Sequence, residues 1–289
     1  PFHISTQASI SNSQAARFYE SMGASCIVLA RECTLEQIAK IKRKINAKVE
    51  VFIHGAMCVS VSGRCFISQF LHCKSANRGE CLQPCRREYI VTEKETGYQL
   101  ELDNHFVMSP KDLCTLGLID KIIQTGADVF KIEGRSRSAE YVYTVVKAYR
   151  RAIEAVKNNE YTTELANELL IEVSKVYNRE FSEGFLFGMP GSDTWAKVDG
   201  NISKEKKEFV GRVINYYPKS NVVYINVESN DIAINDKIFI QGPTTGLKET
   251  ILTELRADNK PLTEVKKGEA TFPVNFKARP HDMVFRVRG

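Results

Sequence analysis

The chain has 289 residues, 43% of them hydrophobic and 26% charged, the balance of a globular protein large enough for more than one core. No apolar run approaches the ~20 residues that a membrane helix needs, and no signal-peptide pattern opens the chain, so no membrane partner and a cytoplasmic location are expected. The net charge of +5 is uneven: residues 1–200 hold 25 Lys/Arg against 24 Asp/Glu, and residues 201–289 hold 15 against 11, a surplus compatible with nucleic-acid contact, although ordinary solvated charge ranks ahead of it.

The sequence opens at Pro1-Phe2-His3-Ile4 without a Met, and is read as a piece of a longer chain. Residues 2–6 predict a strand end and 13–22 a helix. Residues 26–30 predict a buried strand, 35–44 a helix and 49–53 a third strand. After a long insertion, residues 106–108 predict a short strand, 116–125 a helix, 129–132 a strand and 139–156 a long helix. Apolar strands alternating with amphipathic helices define an α/β class with a parallel sheet and helices outside.

Polar residues gather just after the strands: Ser5-Thr6-Gln7, Arg31-Glu32, His54-Gly55, Ser109-Pro110-Lys111-Asp112 and Glu133-Gly134-Arg135. In a (β/α) barrel these turns meet on one face, where catalytic groups sit. Glu133 and Arg135 are candidates for ligand contact. The bland alternative is helix capping, the role expected of Ser136 and Ser138. Residues 158–200 read as a bridge, with a hydrophobically anchored loop at 178–188 and an open linker at 191–193. From about Lys207 the pattern turns to short strands at 210–217, 222–229, 237–240, 250–255 and 271–276 without a long helix, a small all-β barrel or sandwich. The expected domains are 1–200, a (β/α) domain with a Cys-rich insertion, and 201–289.

All eight cysteines lie between positions 26 and 114. Cys26 sits in an apolar strand and reads as a small buried hydrophobe. Cys33 starts a helix, and Cys73 has no partner spacing. Cys58, Cys65, Cys81, Cys85 and Cys114 form a looser set. Disulfides are disfavoured by the size of the core and the lack of an export signal. Structural zinc favours two close Cys pairs, which these spacings do not make. An iron–sulfur cluster accepts four thiolates from scattered positions, and this reading ranks first, ahead of zinc.

Glu50-Val51-Phe52-Ile53-His54-Gly55-Ala56-Met57-Cys58 followed by Ser62-Gly63-Arg64-Cys65-Phe66-Ile67-Ser68 resembles the signature of the collagenase-like peptidases of unassigned catalytic type, family U32. The stretch from Ser75 to Arg86, Ser109-Pro110-Lys111-Asp112-Leu113-Cys114, Lys131-Ile132-Glu133-Gly134-Arg135, and the earlier His3-Ile4-Ser5-Thr6-Gln7-Ala8 and Leu29-Ala30-Arg31-Glu32 resemble further blocks of the same family. The likeness runs from residue 3 to about 190. One departure is Glu180, where the family usually has Gly in an Asn-Arg-Gly-Phe segment.

The resemblance implies a partial (β/α) TIM-like barrel whose first strands lie outside this sequence, followed by a small β-barrel like the second domain of translation elongation factors. It also implies two activities. Some relatives hydroxylate RNA pyrimidines at position 5, in tRNA or rRNA, and depend on prephenate and iron–sulfur biogenesis. The family name records a peptidase. By the resemblance the ligands of a 4Fe-4S cluster are Cys58, Cys65, Cys81 and Cys114, with Cys85 the alternate fourth. The expected catalytic candidates are Glu133, Arg135, His54, Lys111 and Asp112, and the expected partner is RNA, with a peptide substrate the alternative. The peptidase reading finds little in the residues: there is no His-Glu-x-x-His segment and no nucleophile elbow, and four thiolates on zinc leave no open position for water. A catalytically silent iron–sulfur scaffold is a third reading.

Overall fold

A computed structural model describes all residues except 101–108, 136, 192–193, 197–200 and 259. The chain divides into two compact units, Pro1–Ile202 and Ser203–Gly289.

The first unit alternates strand and helix. Strand β1 (Phe2–Ile4) leads to helix α1 (Ser13–Ser21), β2 (Ala24–Val28), α2 (Leu35–Lys42) and β3 (Lys48–Gly55). The insertion follows, with α3 (Ile67–His72) and the short hairpin β4 (Val91–Thr92) and β5 (Gln99–Leu100). Then come β6 (Asp112–Cys114), α4 (Ile119–Gln124), β7 (Val129–Ile132), α5 (Ala139–Lys157), α6 (Thr163–Ser174) and β8 (Phe181–Ser182). The parallel order β1-β2-β3 continues from β3 into β7, while β6 joins the end of β3 antiparallel and carries β8 beside it. Four parallel strands in chain order are the arrangement that βαβ crossovers build.

Local chemistry sets the helix ends. Asn12 accepts from the Ala15 N–H to open α1, and Thr34 and Gln37 form a reciprocal capping box on α2. Ser138 is the N-cap residue of α5 but makes no side-chain capping bond, and Ser136 lies outside the described residues. Helix α5 buries Tyr141, Val145, Ala148, Tyr149, Ala152 and Ala155 along one stripe. These pack into a core with Ile27, Leu29, Val49, Ile53, Leu116, Ile122 and Leu169.

Two sequence expectations change here. Residues 158–200 are more than a bridge: Thr162 caps a 12-residue helix, α6, which buries Ala166 and whose Leu169 and Val173 join the core. The expected strand at 106–108 lies outside the described residues, and β6 has no counterpart among the expected strands.

The second unit is all β. Strands β9 (Lys206–Tyr217), β10 (Val222–Val227), β12 (Lys237–Gly242), β13 (Gly246–Ile251), β17 (Gly268–Pro273) and β18 (Met283–Arg288) form most of one antiparallel sheet, ordered β13-β12-β18-β9-β10-β17. The short pair β14 (Arg256–Ala257) and β15 (Lys260–Pro261) extends its β17 edge, and β11 (Ile232–Ala233) pairs with β16 (Glu264–Val265) apart from it. Alternate residues such as Val223, Ile225 and Val227 fill its core with Ile238, Ile240, Phe272 and Val284. No helix among the described residues is long and apolar enough to cross a membrane.

Candidate functional site

The turn after β3, the insertion and the end of β7 meet at a cleft of about 440 Å³. Its lining includes Cys58, Cys65, Cys81 and Cys85, with Gln7, Arg31, Phe52, Lys131, Glu133 and Arg135. All four thiols are free. Burial pushes the Cys58 and Cys85 thiols up, the negative charge of neighbouring cysteines adds to this in both, and Arg31 and Arg86 respectively pull them back. Two backbone amides point at sulfur: Ser60 N–H donates to Cys58 Sγ at 3.4 Å and Gln83 N–H to Cys81 Sγ at 3.3 Å. Such bonds stabilise thiolate character.

The loops that carry these cysteines are tied down by side chains. Glu32 accepts from both the N–H and the hydroxyl of Ser62, at 2.7 and 3.1 Å, fixing the 58–65 turn. Ser62 itself holds a left-handed φ of 47°. The guanidinium of Arg64 donates twice to the Gln7 carbonyl, and Gln7 Nε2 donates to Asn77 O. Arg86 is buried and donates to Ser109 Oγ, Pro110 O and Met57 O. It bolts the Cys85 segment to the turn after β3 and to the approach to β6.

The cleft is cationic. Arg31 donates to Ala56 O at 2.6 Å and lies over the Phe52 ring at 3.9 Å. Burial pulls its pKa down, and Glu133, Cys58 and Glu32 partly restore it. Lys131 pairs with Glu50 at 2.7 Å. Glu133 accepts the Arg135 N–H at 3.0 Å. Gly55 explains why Glu133 reaches this position: with φ at 111°, a Cβ there would lie 2.5 Å from the Glu133 carbonyl oxygen. Only glycine lets β3 and the end of β7 approach so closely.

Of the expected catalytic candidates, Glu133 and Arg135 line the cleft and the other three do not. His54 is buried between Tyr141, Tyr149 and Phe181, outside the cleft. Lys111 pairs with Glu180 at 3.4 Å. Asp112 is buried against Arg179 at 3.7 Å, and Arg179 donates to Gln83 Oε1 at 2.7 Å. Asp112 thus braces the cleft wall through Arg179 and Gln83, and none of the three lines the cleft.

Cys114 also moves out of the expected ligand set. It is the last residue of β6, paired with His54, and its thiol is sealed in the core beside the Tyr149 hydroxyl at 3.8 Å. Burial pushes it up to about 11. Cys85, expected as the alternate, stands in the cleft in its place. In sequence a buried cysteine at a strand end looks the same as a ligand, so the distinction needs the β3–β6 pairing. Arg31 and Lys131 were not among the expected site residues. Lys131 carries one legible signal, a charge inside the otherwise apolar strand Val129-Phe130-Lys131-Ile132.

A second group, His3, Cys26 and Glu50, brings its ligand atoms within 4.8 Å of one another on β1, β2 and β3. Glu50 is already held there by Lys131. No three of the four cleft cysteines meet the same distance limit among the described residues.

A mostly parallel α/β unit with four thiols converging on a cationic cleft, joined to an all-β unit, defines the class of protein. The chain belongs to peptidase family U32, whose profile matches residues 1–196. It is 40% identical to a protein named collagenase from Porphyromonas gingivalis, over 98% of this chain and 71% of the relative. It is 36% identical to tRNA hydroxylation protein P1 of Bacillus subtilis, over 98% of this chain and 68% of that one. A 39% identical match to the 23S rRNA 5-hydroxycytidine C2501 synthase of Escherichia coli covers 53% of this chain and 23% of the relative. Likeness to solved structures is slight: a C-terminal domain of a U32 peptidase from Geobacillus thermoleovorans covers 27% of this chain and 91% of that one, at 18% identity and a TM-score of 0.26.

Proposed function

We propose that this chain is an RNA pyrimidine hydroxylase that works with an iron–sulfur cluster held by Cys58, Cys65, Cys81 and Cys85. The observation that carries the reading is the convergence of these four thiols on one cationic cleft, in a chain whose relatives include proteins named for tRNA and rRNA hydroxylation.

The donor set favours a cluster over a single metal ion. Tetrahedral zinc with bonds of about 2.3 Å draws its four sulfurs to within about 4 Å of one another. Here no three cleft sulfurs lie within 4.8 Å, although all four line the same cavity. A cluster assigns each thiolate to its own iron and so spreads its ligands. The two amide–sulfur bonds and the nearby Arg31 and Arg86 suit the negative charge that four thiolates bring. When bound, the cluster supplies one-electron redox chemistry at this cleft.

The remaining residues give the cleft its substrate preference. Arg31, Lys131 and Arg135 present cations on one wall, the complement of an anionic co-substrate, and a dicarboxylate such as prephenate matches that charge. Glu133, set between them, is placed to hold a proton on the target base. Base entry requires an unstacked nucleotide. The parallel order β1-β2-β3-β7, with the cleft at one end of those strands, fits a segment of a (β/α) barrel. The peptidase reading loses its candidate base, because His54 is core and no histidine among the described residues lines the cleft.

The test is mass spectrometry of nucleosides from tRNA and rRNA incubated with anaerobically purified protein and prephenate. A 5-hydroxypyrimidine is expected with the native chain, absent with Cys58→Ser or Cys85→Ser, and retained with Cys114→Ala. Peptide cleavage that survives the Cys58 and Cys85 substitutions, with RNA unmodified, would overturn the reading.

A further inference from the structure

The insertion carries an aromatic surface that the cleft chemistry does not use. Phe66, the N-cap residue of α3, and Phe70 are 66% and 87% exposed. Phe70 N–H donates to Phe66 O, so the two rings lie one helical turn apart on the same face. Leu71 beside them is half exposed. The opposite face of α3 is anchored: Ser68 is fully buried and its hydroxyl accepts the Leu82 N–H at 3.0 Å. Thus α3 is fixed on the segment that carries Cys81 and Cys85, while Cys65, directly before Phe66, lines the cleft. The exposed rings thus begin one residue after a cleft cysteine in the chain.

The surroundings of these rings are basic. Between positions 64 and 88 the chain has five Lys/Arg, of which Arg86 is buried, and two acids, Glu80 and Glu88. Arg64, Lys74, Arg78 and Arg87 are exposed, and among the described residues Lys74 alone of the four has an ion pair, with Glu80 at 3.7 Å. Glycine follows Arg78, and a Cβ at Gly79 would lie 3.6 Å from the Arg135 guanidinium, so this basic rim runs into the cleft itself.

We infer that Phe66 and Phe70 are a stacking platform for single-stranded RNA, on which nucleotides flanking the target base lie while the basic rim of the insertion holds their phosphates. Flat apolar rings at high exposure, with cations outnumbering carboxylates, match the two needs of single-stranded nucleic acid, a π-face for each base and a positive path for its backbone. A protein partner of ordinary composition explains the apolar rings but not the one-sided charge. The inference rests on the RNA reading above and adds to it the strandedness of the substrate and the residues that grip it.

The test measures binding of the holo protein to a short pyrimidine-rich RNA, single-stranded or annealed to its complement, across a salt series. The Phe66→Ala/Phe70→Ala double variant should bind the single strand at least tenfold more weakly. Its log–log salt slope should be unchanged, because no charge is removed, and its visible cluster absorption should be intact. Phe70→Trp should restore binding, and its added fluorescence should be quenched by the single strand and not by the duplex. If native protein binds and modifies RNA while the double variant binds equally tightly, the platform is refuted and the hydroxylase reading stands. If native protein neither binds nor modifies RNA, both fall. Binding of the native chain to anionic vesicles, lost in the double variant, with RNA affinity unaffected, would assign the rings to a lipid surface and overturn the inference.

Discussion

His54 sits in the core with its Nδ1 3.3 Å from the Tyr149 hydroxyl. That hydroxyl donates its one proton to Ile53 O at 2.7 Å and accepts from the Thr115 N–H at 2.9 Å. A neutral imidazole with hydrogen on Nδ1, donating to Tyr149, fits this arrangement. Burial, with a smaller push from Arg137, pulls its pKa from 6.5 to about 3. The folded state thus binds fewer protons than the unfolded state between these values. Stability from this site is complete above about pH 6.5 and is lost as pH falls toward 3. Urea unfolding between pH 5 and 6.5 should show stability falling with acidification, and His54→Gln should flatten that dependence. An unchanged slope in the variant would contradict the assignment. The same core position separates Cys114 from the cleft cysteines, so Cys114→Ala should cost stability without loss of iron, and loss of iron would return Cys114 to the ligand set.

At the scale of elements, the close approach of β3 to the end of β7 positions Glu133. Gly55→Ala should destabilise by at least about 2 kcal/mol, since a Cβ at positive φ meets backbone there. Urea midpoints test this, and a neutral effect would mean that Glu133 is placed by something else. Glu180 is the converse case. Its φ is 62°, in the left-handed region, which gives a physical reason for the glycine the family uses. Glu180→Gly should relieve about 1–2 kcal/mol of strain, while forfeiting the partly exposed pair with Lys111 and adding chain entropy, about 1 kcal/mol together. The net change should stay within ~1 kcal/mol by chemical denaturation. The alternation of β1 to α2, and of β7 to α5, was legible because apolar runs and helical stripes have distinct periods. Helix α6 was not, because its stripe follows the polar run Lys157-Asn158-Asn159-Glu160 and was read as part of a bridge. The polar residues after the strands were legible as a group, but periodicity does not say which face each side chain takes. Hence Glu133 and Arg135 reach the cleft while His54, Lys111 and Asp112 do not.

At the scale of the whole molecule, the all-β unit brings its two ends together: Arg288 pairs with Lys206 and Arg286 with Glu208 across β18 and β9. Of the basic residues at these ends, Lys207 donates to Gln241 Oε1 at 3.3 Å, and the other four, Lys204, Lys206, Arg286 and Arg288, divide in two. Arg286 is buried and bridges Glu208 and Asp231, and Arg288 also reaches Asp231. Lys204 and Lys206 are exposed. Arg286→Met should therefore destabilise this unit by about 2 kcal/mol, discounted because both partners are about one-third exposed. Neutralising Lys204 and Lys206 should leave stability unchanged and, if they hold RNA, reduce the salt slope by about 0.7–0.9 per phosphate contact. A thermal melt and a salt titration separate the two roles, and an Arg286 variant of native stability would contradict the division. The central claim, that four thiols in the first unit hold a cluster, meets its most direct test in iron, acid-labile sulfide and zinc analysis of anaerobically purified native chain and of the Cys58→Ser, Cys65→Ser, Cys81→Ser and Cys85→Ser variants. About four irons and four sulfides per native chain are expected, lost or much reduced in each variant, whereas one zinc without sulfide would contradict the claim.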